Sequence, residues 1–549
     1  MTRTAEEIAR GLEPVRPARP LAPGTRLHVV GAEGAAAAGA LLLAKARGAA
    51  VSGCDTGGPS PYGPALERAG IAVATAHDAG HVVGPDGQRR ADLLAVSKAI
   101  TSVRPDHPEL LAAHGAGVPA VSCQQVIADA AATGEGRLLA VAGTHGKSTT
   151  TGWLIHLLTL GGADPAGFCG AVMPAALTGG PPSVVRLGSG PAFVVEADEY
   201  AGNFDPYRPA IGVLLNADWD HPDVFADRAV VEDAFEAWIR RFQGARGEPP
   251  TLVANAGDPG AAAVLARLAD WPGRILAFTT LDAEGARLST PQADAEAHVE
   301  ADAAAARLRA TIRSALGPAD VLVGRTGAEP DGRQRLTVHG LPGVTGGSTV
   351  TLQLVGRHNA DDALGAAGAA LAFGLPANVI LAGLASFEGV GRRFELKGEA
   401  RGVAILDDFG HHPTAIAATL AAVRQRYPGR RVWAVYEPLT FHRTAAMLEA
   451  FADVLATADR AAVADIYAVR DPDTTIVSPA DLARAVAARG TPAEAPGSVE
   501  ETADWLAGEV RPGDVVLVMG GGRSYVIAER LAAALAAPAS MPTAPDGRG

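Results

Sequence analysis

The feature that most constrains this chain lies near its middle. An apolar run, Arg137–Ala142, enters Gly-Thr-His-Gly-Lys-Ser-Thr and continues into the apolar stretch Thr150–Leu160. The order reads as strand, loop, helix. Gly143 and Gly146 leave room for the loop backbone, Gly143, Thr144, His145, Gly146, Lys147, Ser148 and Thr149, to wrap a phosphate. Lys147 brings positive charge to the β- and γ-phosphates, and the Ser148 hydroxyl suits Mg²⁺. Such a loop predicts ATP or a related triphosphate held with Mg²⁺ at the end of a parallel sheet. It does not separate a ligase from a switch, a motor or a kinase.

Length and composition narrow the choice. With 549 residues, three or four domains are expected. A formal net charge of −13 argues against a nucleic-acid partner. The most apolar stretch, Ala35–Val51, is interrupted by Lys45 and Arg47, so no membrane span is expected. The N-terminal residues carry charge where a secretory leader needs an apolar core. Cys54, Cys123 and Cys169 lack metal-ligand spacing and read as small buried thiols in a reducing, cytoplasmic setting.

Before the loop, Arg26–Gly31, Ala35–Arg47 and Ala49–Gly53 read as strand, helix and strand, with Asp55 at the second strand's end. Gly31 and Gly34 are spaced for a tight turn at a helix N-terminus, which either holds phosphate or only joins strand to helix. After the loop, the strand Ala192–Val195 runs into EADEY, placing Glu196 and Asp198 at its end. Ile211–Leu215 runs into NADWDHPDVF, placing Asn216, Asp218, Asp220 and His221 at another. In a parallel sheet these ends share one edge with the loop, and carboxylate and imidazole there suit Mg²⁺ beside phosphates. Val403–Leu406, Arg431–Tyr436, Ala461–Ala464 and Asp514–Met519 read as parallel strands of a last α/β domain, and the Gly520–Tyr525 segment as a turn closing its sheet.

GTHGKST, EADEY, NADWDHPDVF, GRHNADDALGAAGAALAFG, GVGRRFELKG and DDFGHHPTAI, in this order, resemble the Mur ligase family from about Arg26 to Leu535. VSGCD and VSKAI bring the likeness nearest to the branch that adds L-alanine to UDP-N-acetylmuramate. The resemblance implies an α/β protein of three domains: a Rossmann-like N-terminal domain, a central P-loop ATPase domain with a parallel sheet, and a C-terminal Rossmann-like domain. The expected limits are 1–24 for an N-terminal extension, 25–136 for UDP-sugar binding and 137–386 for ATP binding, with an insertion at about 281–345. Residues 387–537 are then expected to bind the amino acid, and 538–549 to form a disordered tail. A polar-faced helix is expected over Ala295–Leu316, on a surface elaboration.

The resemblance further implies an ATP-dependent, ADP-forming ligase of peptidoglycan precursor synthesis. It is expected in the cytoplasm as a monomer or homodimer, with UDP-N-acetylmuramate and an amino acid as partners and ATP and Mg²⁺ as cofactors. Lys147, His221, Arg393 and His411 match catalytic positions. Ser148, Glu196 and His221 match metal positions. His358 and Asn359 match the segment that closes on adenine, Arg393 the arginine reaching the ATP phosphates, and Asp408 a ribose contact. Gly31, Gly34, Asp55, His411 and Arg443 are expected to bind substrate. His411–His412 alternatively reads as a helix cap before Pro413.

The chain departs from the pattern in its glycine loop, GAEGAAAAG, at Asp362 in place of a second Asn, and at YEPLTFHRT, where Leu439 and Thr440 replace polar residues. Glu437–Pro438 resembles the recycling branch that attaches a ready-made tripeptide. A triphosphatase switch or motor without ligation is the alternative of another class, and the RRF and DDFGHHP segments favour ligation.

Overall fold

The computed structural model describes residues 2–134, 136–282, 306–312, 319–468, 471 and 473–537. The chain divides into two compact units, Met1–Gly391 and Arg392–Gly549.

The first unit holds two sheets. The smaller consists of β1 (Arg26–Val30), β2 (Ala50–Cys54), β3 (Val73–Ala74), β4 (Leu93–Val96) and β5 (Ala120–Ser122), all parallel, in the order β3-β2-β1-β4-β5. Side chains alternate across β1, as the pleat requires. Leu27 and Val29 join the core around the helix Ala35–Ala46, whereas Val30 joins Cys54, Leu94 and Leu110 on the other face. That helix is buried continuously from Ala37 to Ala44. Its alanines and Gly39 let it lie tight against the larger sheet: a Cβ on Gly39 would stand 2.5 Å from Phe168 Cδ2.

The larger sheet has ten strands: β6 (Arg137–Ala142), β7 (Ala166–Met173), β8 (Ser183–Arg186), β9 (Ala192–Glu196), β10 (Ile211–Leu214), β11 (Thr251–Asn255), β12 (Arg274–Asp282), β13 (Asp320–Ala328), β14 (Gln334–His339) and β15 (Gly347–Leu352). Their order is β15-β14-β13-β12-β11-β10-β6-β9-β7-β8, parallel except at β7–β8, β13–β14 and β14–β15. Leu139 and Val141 of β6 pack under the helices Lys147–Leu160 and Arg357–Phe373. Ala140 and Ala142 face the opposite core, with Phe235 and Trp238 of the helix Arg228–Ile239. β6 is thus central, with β9 and β10 on either side, and all three end at one edge.

Several sequence expectations change. The N-terminal extension packs on the first unit: Ile8 is buried beside Tyr200 and Ala201, and Arg16 pairs with Asp129 at 2.5 Å. Residues 320–339, expected in a surface elaboration, form β13 and β14 of the sheet itself. Of the helix expected at Ala295–Leu316, residues 306–312 are helical and the others lie outside the described residues, as does the 538–549 tail. The first unit runs past residue 386 because Phe387 stacks on Trp153 at 4.7 Å and Val390 joins the same core.

The second unit contains β16 (Glu395–Ala400), β17 (Val403–Asp408), β18 (Arg431–Glu437), β19 (Arg460–Ala464), β20 (Ala493–Gly497) and β21 (Asp514–Gly520). Their order is β16-β17-β21-β18-β19-β20, with only β16 antiparallel.

Because Phe168 fills the space beside Gly39, Gly39→Val is expected to destabilise the first unit by ~1–3 kcal/mol, the usual range for overpacking. A lowered urea midpoint for that unit's transition checks this, and an unchanged midpoint contradicts the packing.

Candidate active site

The loop after β6 is shaped by two glycines in conformations that side chains resist. Gly143 has φ 143°, and a Cβ there would stand 3.0 Å from Leu215 Cβ. Gly146 has φ 81° and caps the helix Lys147–Leu160; a Cβ there would stand 2.2 Å from Asp362 Oδ1. Asp362, on the helix Arg357–Phe373, is therefore packed directly on the loop. The loop is also clamped from the end of β10. The His145 N–H donates to Asn216 Oδ1 (2.8 Å), and Asn216 Nδ2 donates to the His145 carbonyl (3.1 Å). Thr144 Oγ1 donates to the Asp218 carbonyl and accepts from its N–H, both at 3.0 Å. Thr149 is buried in the first helical turn. These contacts fix the helix N-terminus, whose amides and dipole favour an anion.

Lys147 curls back over its own loop. Its Nζ donates to the carbonyls of Gly143 (2.8 Å) and Thr144 (3.3 Å), and pairs with Glu199 (2.8 Å) and Asp198 (3.5 Å). Burial works against the ammonium, but Glu199 and Asp198 outweigh it and hold its pKa above the ordinary lysine value. Burial pushes the Glu199 carboxyl up to about 7, with Lys147 opposing and Asp198 adding to the rise. Ser148 Oγ donates to Glu196 Oε1 at 3.1 Å, and the Gly170 N–H donates to Glu196 Oε2 at 2.7 Å.

Asp198, Glu199 and His221 offer ligand atoms within 4.8 Å of one another. His221 has φ 55°, unusual for a residue with a side chain, and its ring lies 4.9 Å from that of Tyr200. The structure therefore forms two neighbouring groups, Ser148–Glu196 and His221–Asp198–Glu199. The second includes Glu199, which sequence reasoning passed over although the EADEY motif contains it. Oxygen donors with one imidazole fit Mg²⁺ and its retained waters. Lys98 was also missed. It is buried, donates to the Ala201 carbonyl at 2.7 Å, and burial lowers its ammonium to about 8.

The other expected positions of the first unit are built as follows. Asn359 Nδ2 donates to the Val355 carbonyl at 2.6 Å in the first turn of its helix, beside the half-buried His358. The Gly34 N–H donates to the Gly31 carbonyl at 3.0 Å, closing a tight turn, and Gly31 has φ 80°. Asp55 accepts from the amides of Glu33 (2.9 Å) and Gly57 (2.7 Å).

In the second unit, Arg392 ties the strand ends together. Its guanidinium donates to the Gly520 carbonyl (2.8 Å), the Gly522 carbonyl (3.2 Å) and Ser524 Oγ (2.8 Å), and pairs with Asp407. The Arg393 guanidinium lies over the Phe409 ring at 4.8 Å. Asp408 accepts from the N–H groups of Phe394 and Gly410, each at 2.8 Å. His411 Nδ1 stands 3.0 Å from the Phe409 carbonyl. His412 caps the helix Pro413–Arg426 through the Thr414 N–H, so the cap reading holds for His412. Arg443 is 3% exposed, on a short helix that begins after Thr440, whose φ is 65°. A β-branched residue there is strained.

With this geometry in place, comparison with known proteins assigns the family. Residues 26–134 match the profile described as "Mur ligase family, catalytic domain", and residues 392–522 that described as "Mur ligase, glutamate ligase domain". The UDP-N-acetylmuramate–L-alanine ligase of Kineococcus radiotolerans is 37% identical over 497 residues, covering 90% of this chain and 93% of that protein. The chain belongs to the Mur ligase family. A second relative in this family, the UDP-N-acetylmuramate–L-alanine ligase of Roseiflexus, is 33% identical over 511 residues, covering 91% of this chain and 97% of its own.

Solved Mur ligase structures share the fold. The UDP-N-acetylmuramate-alanine ligase of Thermotoga maritima has a TM-score of 0.69 at 20% identity, covering 92% of this chain and 98% of that one. A murein peptide ligase from Psychrobacter arcticus has a TM-score of 0.66 at 23% identity, covering 94% and 100%. As in the sequence reading, the sheets are α/β and mainly parallel.

Glu437, at the end of β18, is 2% exposed, and burial pushes its carboxyl from 4.5 up to about 7. The folded state thus holds this proton more tightly than the unfolded chain. Glu437 favours folding below pH 4.5 and loses that contribution as pH rises to about 7. The difference in stability between the wild type and Glu437→Gln is expected to shift by at most ~3 kcal/mol across that window, in favour of the Gln variant at higher pH. Urea midpoints of both proteins at several pH values check this, and parallel curves contradict it.

Proposed function

We propose that this Mur ligase joins L-alanine to the carboxylate of UDP-N-acetylmuramate, with ATP converted to ADP and phosphate, in the cytoplasm. The carrying observation is the assembly of Lys147, Ser148, Glu196, Asp198, Glu199 and His221 at one sheet edge. Relatives bearing that activity in their names, matched over nine-tenths of the chain, support the same reading.

In the proposed reaction a muramate carboxylate oxygen attacks the γ-phosphorus and ADP leaves. The amine nitrogen then attacks the acyl-phosphate carbon, phosphate leaves, and the nitrogen loses a proton. This chemistry needs charge neutralisation and in-line placement rather than a nucleophile from the protein. The loop amides and Lys147 hold phosphate oxygens, and Asn216 and Asp218 keep the loop rigid while they do so. Magnesium would be held by Ser148, Glu196 and His221, with Asp198 and Glu199 beside them, and supplies charge neutralisation on the phosphate oxygens. His358 and Asn359 are assigned to adenine, Asp408 to ribose and Arg393 to the phosphates. Gly31, Gly34 and Asp55 of the first domain are assigned to the UDP-sugar. Arg443 is assigned to the amino-acid carboxylate, for which a guanidinium is the natural bidentate partner, and His411 to the vicinity of the amine.

The deciding experiment measures ADP release with UDP-N-acetylmuramate and, in turn, L-alanine, L-serine, glycine and a ready-made tripeptide. Turnover with L-alanine supports the reading. Turnover with the tripeptide alone assigns the chain to the recycling reaction, and ADP release independent of any acceptor removes ligation.

Lys147→Ala is expected to lower turnover by several orders of magnitude in a folded protein. Near-normal ADP release by that variant contradicts the phosphate assignment. Arg443→Ala is expected to raise the KM for the amino acid about ten- to a hundredfold, the size of one lost charge-assisted pair, with the KM for ATP little changed. Arg443→Lys, which retains the charge, guards against simple misfolding. Equal kinetics for the Ala variant and the parent place the carboxylate elsewhere.

A further inference from the structure

Beneath the first sheet lies a buried cluster that ligation does not use. His28 is on β1, Cys54 ends β2, His77 follows β3, His81 sits on a single 3-10 turn, and His107 and Glu109 open the helix Pro108–Ala116. Four of these six are essentially sealed: His28 is 2% exposed, His107 1%, and Cys54 and Glu109 0%. Every imidazole ring faces the same carboxylate. His81 Nδ1 is 2.5 Å from Glu109 Oε1, His28 Nε2 3.4 Å from the same oxygen, and His107 Nδ1 3.6 Å from Oε2. Cys54 Sγ is 3.1 Å from Glu109 Oε1 and 3.1 Å from His77 Nδ1.

We infer that His28, Cys54, His81 and Glu109 form a binding site for a zinc-class divalent ion. Their ligand atoms lie within 4.8 Å of one another. Tetrahedral donors ~2.0–2.3 Å from zinc stand about 3.3–3.8 Å apart, so the donor atoms need to shift by about an ångström or less to reach that spacing. The mixed nitrogen, sulfur and oxygen set selects zinc or a neighbouring transition metal over magnesium or calcium.

Two features point to a ligand. First, His28 Nε2 is buried and makes no hydrogen bond, and neither ring nitrogen of His107 makes one. Leaving such groups without partners is costly. Second, Ser52 Oγ lies 2.8 Å from His28 Nδ1. A proton on Nδ1 directed to that oxygen leaves the Nε2 lone pair aimed at the cluster, the arrangement of metal-bound histidines.

The ion's role is structural. The Cys54 carbonyl accepts the N–H groups of Gly31 (2.9 Å) and Ala32 (3.1 Å), and Asp55 follows directly. A metal joining β1, β2, the 3-10 turn and the Pro108–Ala116 helix would brace the turn that carries Gly31, Gly34 and Asp55. Binding releases the thiol proton to solvent and leaves the thiolate on the metal.

The test uses the full chain, purified from zinc-supplemented cells without chelator. About one zinc per chain is expected by mass spectrometry, together with a fall in melting temperature when a chelator removes it. Refilling with Co²⁺ should give a thiolate-to-cobalt charge-transfer band. Cys54→Ser should abolish that band, and His28→Ala or the half-exposed His81→Ala should each lose the zinc. The cysteine control matters because Cys169 Sγ lies 3.6 Å from Glu196 near the phosphate loop. A wild type without zinc and without a cobalt band overturns the proposal. So does zinc content or a band that survives Cys54→Ser.

Discussion

The arrangement of the proposed phosphate site depends on one buried positive charge. Lys147 stands at the first turn of a helix whose N-terminus already favours anions. An ammonium sealed beside that dipole is stable only with negative groups close by, and Glu199 and Asp198 supply them. Those carboxylates in turn need β9 to end level with β6, which the parallel pairing of Val141 with Glu196 provides. The same pairing brings Glu196 to Ser148. The other neighbour, β10, ends in Asn216 and Asp218, which hold the loop backbone. Register in three adjacent strands therefore determines the geometry of the site, and a slip of one residue in any of them would turn its end group to the opposite face.

This explains which parts were legible in the sequence. Each strand of the proposed phosphate site is a short apolar run followed at once by polar residues, so β6, β9 and β10 and their end groups can be read directly. The strands at the sheet's far side cannot. β14 reads QRLTVH rather than an apolar block, because an antiparallel strand near a sheet edge buries mainly alternate residues, and β13, DVLVGRTGA, follows its apolar start with a polar run. They were absorbed into an expected insertion. β16, ELKGEA, is an edge strand of the same kind and was missed. The first unit extends past 386 to Gly391 because Phe387 and Val390 complete a core around Trp153, and that pairing across more than two hundred residues leaves no local mark.

The first-sheet cluster was hidden by the same effect. Cysteine spacing alone gave no metal pattern, since the partners of Cys54 are histidines and a glutamate spread from position 28 to 109. Only the pleat of β1, which turns Leu27 and Val29 to one core and His28 to the other, brings them together. The second unit shows the converse. RRF and HHP drew attention to Arg393 and His411, and the structure adds roles for the residues beside them. Arg392 bonds the loop after β21, and His412 caps a helix.

Three buried carboxylates show how partners set the charge of such a group. Burial alone raises each of them. Glu109 is nevertheless held down to about 2, because His81 and Cys54 hydrogen-bond to it and the His28 ring lies 3.4 Å from it. Glu199 rises to about 7, because its cation, Lys147, is shared with Asp198 and the second carboxylate repels it. Glu437 also reaches about 7, since the backbone amides of Arg523 and Ser524 and the more distant Arg392 offset burial only in part. The ordering follows the number and closeness of donors rather than depth, for all three are at most 2% exposed. Glu109 is thus anionic at neutral pH, sealed among imidazoles and a thiol. A carboxylate in that state binds a cation more readily than a proton, whereas Glu199 already has its cation in Lys147.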